Sequence, residues 1–257
     1  MVVEDLFPPC TRKECEQYGT FHKHVIPWQD EFIRAKEKFL AAVGGYGSGK
    51  TLPACILGVL LSITIPGNRG IVIRRSYPKL HDPTERVFLE VLQRSGVGFS
   101  TAEMRDKWPH RLLLENGSEV FFRESSEPGK FLGPEYGWFY IDEAVEEPEA
   151  TFNSLVGRLR LGLAGQALRG FITTNPPNSP PYAPHWIEQK FGRETGVKTH
   201  AIEQEKIRFR LWRMSTQTNP FLPNDYVASL LATHTPSQVK RILSGEFSFS
   251  QEGRPVY

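Results

Sequence analysis

The chain has 257 residues, 39% of them hydrophobic and 23% charged, the proportions of one large soluble domain, or of one domain with a small appendage. No run reaches the roughly 18 apolar residues that span a bilayer, and the opening MVVEDLFPPCTRKEC lacks the basic start and apolar stretch of a secretory leader, so a cytosolic chain is expected. A net charge of +2 excludes nucleic-acid attraction as a whole-chain property and leaves room only for a local basic patch.

Three cysteines are too few, and odd in number, for a disulfide framework. Cys10 and Cys15, followed by His22 and His24, fit no common zinc spacing and are read as free thiols.

In chain order, Trp28 to Lys38 has helical character, with Phe32 and Ala35 apolar. Phe39 to Val43 is a short apolar run stopped by Gly44, which predicts a buried strand. After a glycine-rich turn, Leu52 to Ile65 reads as a buried helix ended by Pro66-Gly67-Asn68. Gly70 to Arg74 is strand-like, and Pro83 to Arg94 has helical spacing. Leu112 to Leu114 and Val120 to Phe122 flank an Asn116-Gly117 turn, a hairpin signal. Trp138 to Ile141 predicts another buried strand, Pro148 to Leu159 a helix and Gly170 to Thr174 a strand. A strand over Ile207 to Trp212 and short helices over Asn224 to Ala232 and Pro236 to Leu243 complete the pattern. Strands alternating with helices predict a mainly parallel sheet covered on both faces, with the hairpin as an antiparallel addition.

The glycine-rich turn carries the first chemistry. Gly44-Gly45-Tyr46-Gly47-Ser48-Gly49-Lys50-Thr51 fits the phosphate-loop pattern G-x-x-x-x-G-K-[ST] at every position. Glycines let successive backbone N–H groups approach phosphate oxygens without Cβ clashes. The following helix directs its N-terminal dipole at the same anion. Lys50 is expected on the β- and γ-phosphates and the Thr51 hydroxyl on Mg²⁺. A preceding strand and a following apolar helix supply the context that a chance glycine turn lacks.

Trp138-Phe139-Tyr140-Ile141-Asp142-Glu143 carries the second: an apolar strand that emits two acids at its C-terminal end, where open α/β sheets bind ligands. Asp142 is expected to hold Mg²⁺, directly or through water. Glu143 is expected to polarise the attacking water. The competing reading is that these acids cap the acidic start of the next helix.

Lesser candidates keep two readings each. Gln29 either meets an adenine edge or lies on a helix surface. Thr174 and Asn175 either hydrogen-bond the γ-phosphate or the water, if their strand neighbours the P-loop strand, or make the turn that Asn175-Pro176-Pro177 suggests. Arg158 and Arg160 either stabilise transition-state charge or are solvated. Arg74, Arg75 and Lys79 either touch DNA phosphates or are solvated.

Together these pieces resemble the N-terminal ATPase domain of phage terminase large subunits. The resemblance is carried by GGYGSGKT at Gly44 to Thr51, IVIRRSYPKL at Ile71 to Leu80 and GWFYIDEA at Gly137 to Ala144. GRLR at Gly157 to Arg160, FITTNPP at Phe171 to Pro177 and SGEF at Ser244 to Phe247 extend it. It implies a RecA/ASCE-like P-loop core over residues 1–200 and a small helical lid or linker over 201–257. It implies an ATPase that moves double-stranded DNA into a viral procapsid in the host cytoplasm. ATP and Mg²⁺ are the implied cofactors, and the portal protein and the small terminase subunit the implied partners. The implied assembly is a homo-oligomeric ring, a pentamer, of subunits that are monomers in isolation.

The resemblance also assigns residues. Gln29 would contact adenine; Gly44 to Thr51 would wrap the phosphates; Thr51 and Asp142 would hold the metal. Lys50 and Glu143 would be catalytic. Thr173, Thr174 and Asn175 would couple γ-phosphate loss to movement. Some members carry an Arg inside the P-loop where this chain has Tyr46, so Arg158 is the expected source of that charge. Some carry a trans-acting Arg before the Asp-Glu strand, where Lys130 is the nearby cation here. The family's nuclease half would begin about where this chain ends, at Gly253 to Tyr257, so an ATPase without DNA cleavage is expected. The rivals are a helicase-like ATPase, which a strand-separation assay distinguishes, and a non-hydrolysing ATP switch, which would bind without turnover.

Overall fold

A computed structural model describes residues 25–105, 108–126, 133–178, 183–192, 198–202 and 205–245. Cys10, Cys15, His22, His24 and Lys130 lie outside the described residues.

A nine-stranded sheet in the order β3-β4-β5-β2-β6-β7-β1-β9-β8 organises the molecule. Its strands are β1 (Phe39–Gly44), β2 (Arg69–Arg74), β3 (Phe99–Arg105), β4 (Trp108–Leu114), β5 (Glu119–Glu124), β6 (Trp138–Asp142), β7 (Arg169–Thr174), β8 (Lys198–Ile202) and β9 (Glu205–Met214). The six strands from β5 to β9 in that order are mutually parallel. At one edge β4 runs antiparallel to β5, and β3 to β4; at the other β8 runs antiparallel to β9.

The helices are α1 (Pro27–Arg34), α2 (Thr51–Thr64), α3 (Arg86–Arg94), α4 (Glu149–Arg158), α5 (Trp186–Phe191), α6 (Tyr226–Thr233) and α7 (Pro236–Ser244). A short helix at Tyr77–Lys79 and a π-helical turn at Leu80–Glu85 lead into α3.

Parallel strands need cover on both faces, and their composition reflects it. In β1, Leu40 and Ala42 face one core while Phe39, Ala41 and Val43 face the other. In β6, Trp138 and Tyr140 face the first and Phe139 and Ile141 the second. The first core is closed by α1, α2 and α3 through Phe32, Ile56 and Phe88; the second by α4 and α5 through Phe152, Leu155 and Ile187. Trp138 stacks between Phe88 and Phe171, at 6.2 and 5.7 Å between centroids and 18° from parallel in each case. Each such pair adds about 0.5–1.5 kcal/mol beyond area burial.

The expected Asn116-Gly117 hairpin is the β4–β5 turn, with Gly117 at φ +79°. The helix expected from Pro83 begins at Arg86, because the π-helical turn with Pro83 inside it precedes α3. The first helix stops at Arg34, short of the Lys38 expected. The strands β3 and β8 and the short α5 are additions to the expected pattern. The sheet continues past residue 200 through β9, which pairs with β1 along its length, so the helical remainder starts after Met214. Helix α7 is bounded by local chemistry: Thr235 and Gln238 form a capping box, Pro236 opens it, and Gly245 at φ +68° ends it.

No helix among the described residues is long and apolar enough to cross a membrane.

Candidate functional site

The C-terminal ends of four parallel strands bring the candidate residues together. Register places Val43 beside Thr174, Asp142 beside Thr173, and Ile73 beside Ile141. The turn after β1, the two acids at the end of β6, Thr173 to Asn175 at the end of β7, and Arg74 at the end of β2 therefore share one edge. The P-loop strand and the acid strand are not neighbours: β7 lies between them. The Thr-Thr-Asn strand thus bridges the two halves of the site.

The loop is shaped by two glycines in the left-handed region, Gly47 at φ +71° and Gly49 at φ +81°. Helix α2 begins at Thr51 with no side-chain cap and no acid in its first turn. Its N-terminal amides and dipole are thereby left to an anion. Lys50 is buried, and its ammonium group donates to the carbonyl oxygens of Gly44 and Gly45, both at 2.9 Å, and to Asn175 Oδ1 at 3.1 Å. Burial lowers its pKa, opposed by the charges of Glu143 and Asp142. Ser48 is buried and its hydroxyl donates back to Gly45 O, so it braces the loop.

Gln29 is buried under this loop. Its Oε1 accepts from Ile26 N and its Nε2 donates to Gly49 O, each at 2.9 Å. Of its two readings the helix-surface one does not hold: Gln29 is buried and ties α1 to the P-loop. One further donor and one lone pair of the amide remain for another partner.

Asp142 is held on every side. Its Oδ1 accepts from Thr173 Oγ1 at 2.6 Å and from Glu143 N at 3.1 Å. Its Oδ2 accepts from Thr84 Oγ1, delivered by the π-helical turn, and lies 3.6 Å from Arg74 Nη1. The Thr173 hydroxyl is in turn 2.8 Å from the buried Tyr140 hydroxyl.

Glu143 has φ +49° and ψ +50°, the lone non-glycine in the left-handed region among the described residues. Such a conformation costs about 1 kcal/mol or more for a side-chain-bearing residue and clusters at working sites. Asn175 Nδ2 donates to Glu143 Oε2 at 3.1 Å, so Asn175 links Lys50 to Glu143. Burial raises the Glu143 pKa, and the Asp142 charge raises it further; Lys50, Arg74 and the Asn175 hydrogen bond oppose both. Neither acid caps a following helix through its side chain: Glu143 stands at the N-cap position of the 3-10 turn Ala144–Glu146 without a side-chain cap hydrogen bond, and the cap residue of α4 is Pro148.

Thr174 is buried, and its hydroxyl accepts from Val145 N at 3.0 Å, fixing the turn after Glu143. A cleft of about 600 Å³ opens beside these groups, lined by Tyr46, Arg74, Glu143, Asn175 and His185 among others. Tyr46 is 45% exposed at its mouth.

Arg158 is not at this site, which corrects its expected role as the charge supplied to its own subunit's phosphates. Helix α4 runs back along the sheet, so the Arg158 carbonyl accepts from Tyr136 N and Leu159 bridges to Tyr136, upstream of β6. Arg158 thus lies by the opposite ends of the strands from Asp142.

Pattern reading missed three features. Arg74 is one, read only as a DNA contact or a solvated charge. Thr84 is another; it has no motif, and only the fold carries it to Asp142. The third is the segment after β9: Thr216 Oγ1 donates to Tyr46 O at 2.7 Å and Asn219 Nδ2 to Gly47 O at 2.6 Å. Gly245, at the end of α7, approaches Gly44 so closely that an added Cβ would lie 3.1 Å from Gly44 Cα and 2.4 Å from Met214 O. The C-terminal helices are thus anchored to the P-loop itself, and the polar run Ser215 to Asn219 was the only available hint.

Among the described residues no cluster of three or more His, Cys, Asp or Glu forms a ready-made metal cage. One carboxylate and one hydroxyl beside a phosphate loop is the sparser donor set that suits Mg²⁺ shared with a nucleotide.

A parallel sheet with a P-loop after one strand and an acid pair after another, two strands away, defines a P-loop NTPase fold. Within that class the chain belongs to the family described as terminase large subunit, T4likevirus-type, N-terminal, whose sequence model matches residues 41–253. Solved structures agree in fold. The large terminase of a thermophilic bacteriophage matches with a TM-score of 0.67 at 13% identity, over 86% of this chain and 53% of that one. The same protein in complex with ADP matches at 0.66 and 15% identity, over 86% and 52%. The large terminase ATPase domain of Thermus phage P74-26 matches at 0.64 and 19% identity, over 92% and 98%. The chain spans about half the length of the first of these terminases. No curated protein matches the chain.

Proposed function

We propose that the chain is the ATP-hydrolysing motor domain of a DNA-packaging terminase. The observation that carries this reading is the Lys50–Asn175–Glu143 chain, which joins a phosphate-binding cation to a strained carboxylate with a raised pKa. A carboxylate poised closer to neutrality than usual suits a base that polarises water.

ATP and Mg²⁺ fit the residues present. A buried ammonium bonded only to neutral acceptors, left-handed glycines and an uncapped α2 N-terminus all favour a polyanion. Thr51 and Asp142 would hold Mg²⁺, which when bound neutralises charge on the β- and γ-phosphates. Gly44 to Thr51 would wrap the phosphates, with Tyr46 and Ser48 in the loop. Gln29 would offer its remaining amide valences to adenine. Lys50 would turn from the loop carbonyls to the phosphates. Glu143 would orient the attacking water, with Thr174 and Asn175 fixing its position. Hydrolysis would alter the P-loop carbonyls held by Thr216 and Asn219, and so the helices after Met214, the lid of this reading. The substrate moved would be double-stranded DNA, in the host cytoplasm, by a homo-oligomeric ring docked on a portal and served by a small terminase subunit. A trans-acting cation in such a ring would come from a neighbour, with Lys130 and Arg158 as candidates. The core would then reach Met214, past the residue 200 expected, with the lid or linker in the helices that follow.

Glu143→Gln is the direct test. ATP affinity should stay within about threefold while turnover falls by about 10²-fold or more, the loss typical of a general base. Undiminished hydrolysis would remove Glu143 from its role. ATPase rate against protein concentration, with and without double-stranded DNA, tests the ring: a rate per chain that is flat in both would refute a site completed by a neighbour.

A further inference from the structure

We infer that Arg74 is the arginine that the site presents to the γ-phosphate from within the same chain. The inference rests on the nucleotide reading above and goes beyond it by assigning a residue to which motif and family resemblance gave no part in hydrolysis.

The need for such a residue is visible in the charges. The P-loop from Gly44 to Thr51 contains Lys50 but no arginine, and Arg158 lies at the far ends of the strands. Lys50 is a single point charge held against the P-loop carbonyls. Charge that develops over three equatorial phosphoryl oxygens is best met by more than one donor.

Arg74 is built to supply the second. It ends β2, the strand beside the acid strand β6, so its Cα belongs to the catalytic edge of the sheet. Its side chain is 13% exposed, and it lines the cleft with Glu143, Asn175 and Tyr46. Nη1 donates to Lys79 O at 2.6 Å, which braces the guanidinium against the short helix after β2. The same nitrogen lies 3.6 Å from Asp142 Oδ2, too far for a good hydrogen bond and close enough for charge attraction. Nε is buried and has no acceptor. A guanidinium carries five N–H donors, so most of its capacity is uncommitted in this structure. Its charge is already felt at Glu143, whose carboxylate it helps keep ionised.

The rival explanation makes Arg74 a counter-charge for Asp142 alone. Asp142 does not need it for hydrogen bonding, since Thr84, Thr173 and the Glu143 amide already occupy both oxygens. With a bound Mg²⁺ offsetting the Asp142 charge, the attraction on Arg74 would weaken and leave its donors to phosphate. A planar fork suits phosphate oxygens better than an ammonium does.

The two explanations separate in a binding experiment on the full chain with Mg²⁺ present. Calorimetry would compare ADP with ADP–aluminium fluoride, which places a phosphoryl mimic in the γ position. In Arg74→Ala and in the bulkier Arg74→Gln, ADP should bind within about threefold of wild type, while the preference for the fluoride complex should fall at least about 30-fold, because such analogues gain from contacts made only at the transferring group. Arg74→Lys should fall between. Turnover should drop through kcat by about 10²–10³-fold, with KM little changed. Arg75→Ala, the exposed neighbour, controls for general loss of charge. Thermal unfolding of each variant identifies any that fails to fold; Arg74→Gln, which keeps most of the volume and a donor for Lys79 O, then decides.

Retained preference in folded Arg74→Gln would overturn the inference and leave Arg74 a counter-charge. Equal binding of the two ligands by wild type would also overturn it, with nucleotide binding still standing. No binding of either ligand would overturn the proposed function instead.

Discussion

Replacing Thr173 with Val tests the buried network under the acid pair. Thr173 is fully buried on β7, and its hydroxyl donates to Asp142 Oδ1 at 2.6 Å while lying 2.8 Å from the Tyr140 hydroxyl. Val has nearly the same shape, so the change removes the hydrogen bonds and leaves the packing in place. A hydrogen bond to a charged acceptor contributes about 1.5–3 kcal/mol, and an ordinary one about 1 kcal/mol. The expected loss is therefore about 2.5–4 kcal/mol, a large fraction of the roughly 5–15 kcal/mol that stabilises a domain. It should be read by urea unfolding followed through tryptophan fluorescence, since Trp138 sits in the adjoining core. Part of the loss should disappear when Tyr140 is changed to Phe in the same chain, because the partner left unsatisfied is then gone. Asp142, freed to rotate, should also need about tenfold more Mg²⁺ for half-maximal turnover, as ligands do when their supporting shell is lost. A loss under about 0.5 kcal/mol, together with an unchanged Mg²⁺ requirement, would refute the claim that Thr173 orients Asp142.

Turnover should fall as pH drops through a midpoint above the usual Glu range, because burial and the Asp142 charge hold the Glu143 pKa up and the protonated acid cannot act as base. The stability sign runs the other way: a folded-state pKa above the unfolded one gives stability that is full at low pH and lost as pH rises through the folded value. Glu143→Gln should therefore unfold at a higher temperature than wild type at neutral pH, and scanning calorimetry should show the gap closing in acid. Gly47→Ala forces an L-residue to φ +71° with its Cβ 3.0 Å from Leu222 Cδ2. The strain of about 1–2 kcal/mol predicts a roughly tenfold weaker affinity for a fluorescent ATP analogue; unchanged affinity would mean that the loop tolerates the shift. Arg158→Ala should leave ATP affinity of the monomeric chain within about threefold, since the residue sits at the far strand ends; a tenfold loss in the same titration would return it to the site.

Much of the site was legible because its parts are local. Gly44 to Thr51 encodes its own loop: the turn needs glycines where φ is positive, and the lysine and threonine follow at a fixed offset. The β6 strand and its two acids were legible because four consecutive apolar residues can be buried only with both faces covered. Helix ends were less so: the first helix and α3 differ from expectation by several residues, since Pro83 sits in a π-helical turn that no apolar periodicity marks. Strands β3 and β8 were missed because each exists through its antiparallel partner and carries little alternation of its own. At six residues, α5 is too short for its periodicity to show.

The amino-acid sequence by itself determined the chemistry of the loop, the burial of the strands and the acids at the end of β6, because each depends on residues a few positions apart. Tertiary structure alone decided which strands are neighbours. That order puts β7 between the P-loop and the acids, joins Lys50 to Glu143 through Asn175, and brings Thr84 and Arg74 to Asp142. It also carries Arg158 to the far edge and sets Thr216 and Asn219 against the P-loop carbonyls. These are contacts between segments tens to well over a hundred positions apart, selected by how strands stack and helices cover them, and no spacing along the chain records that selection.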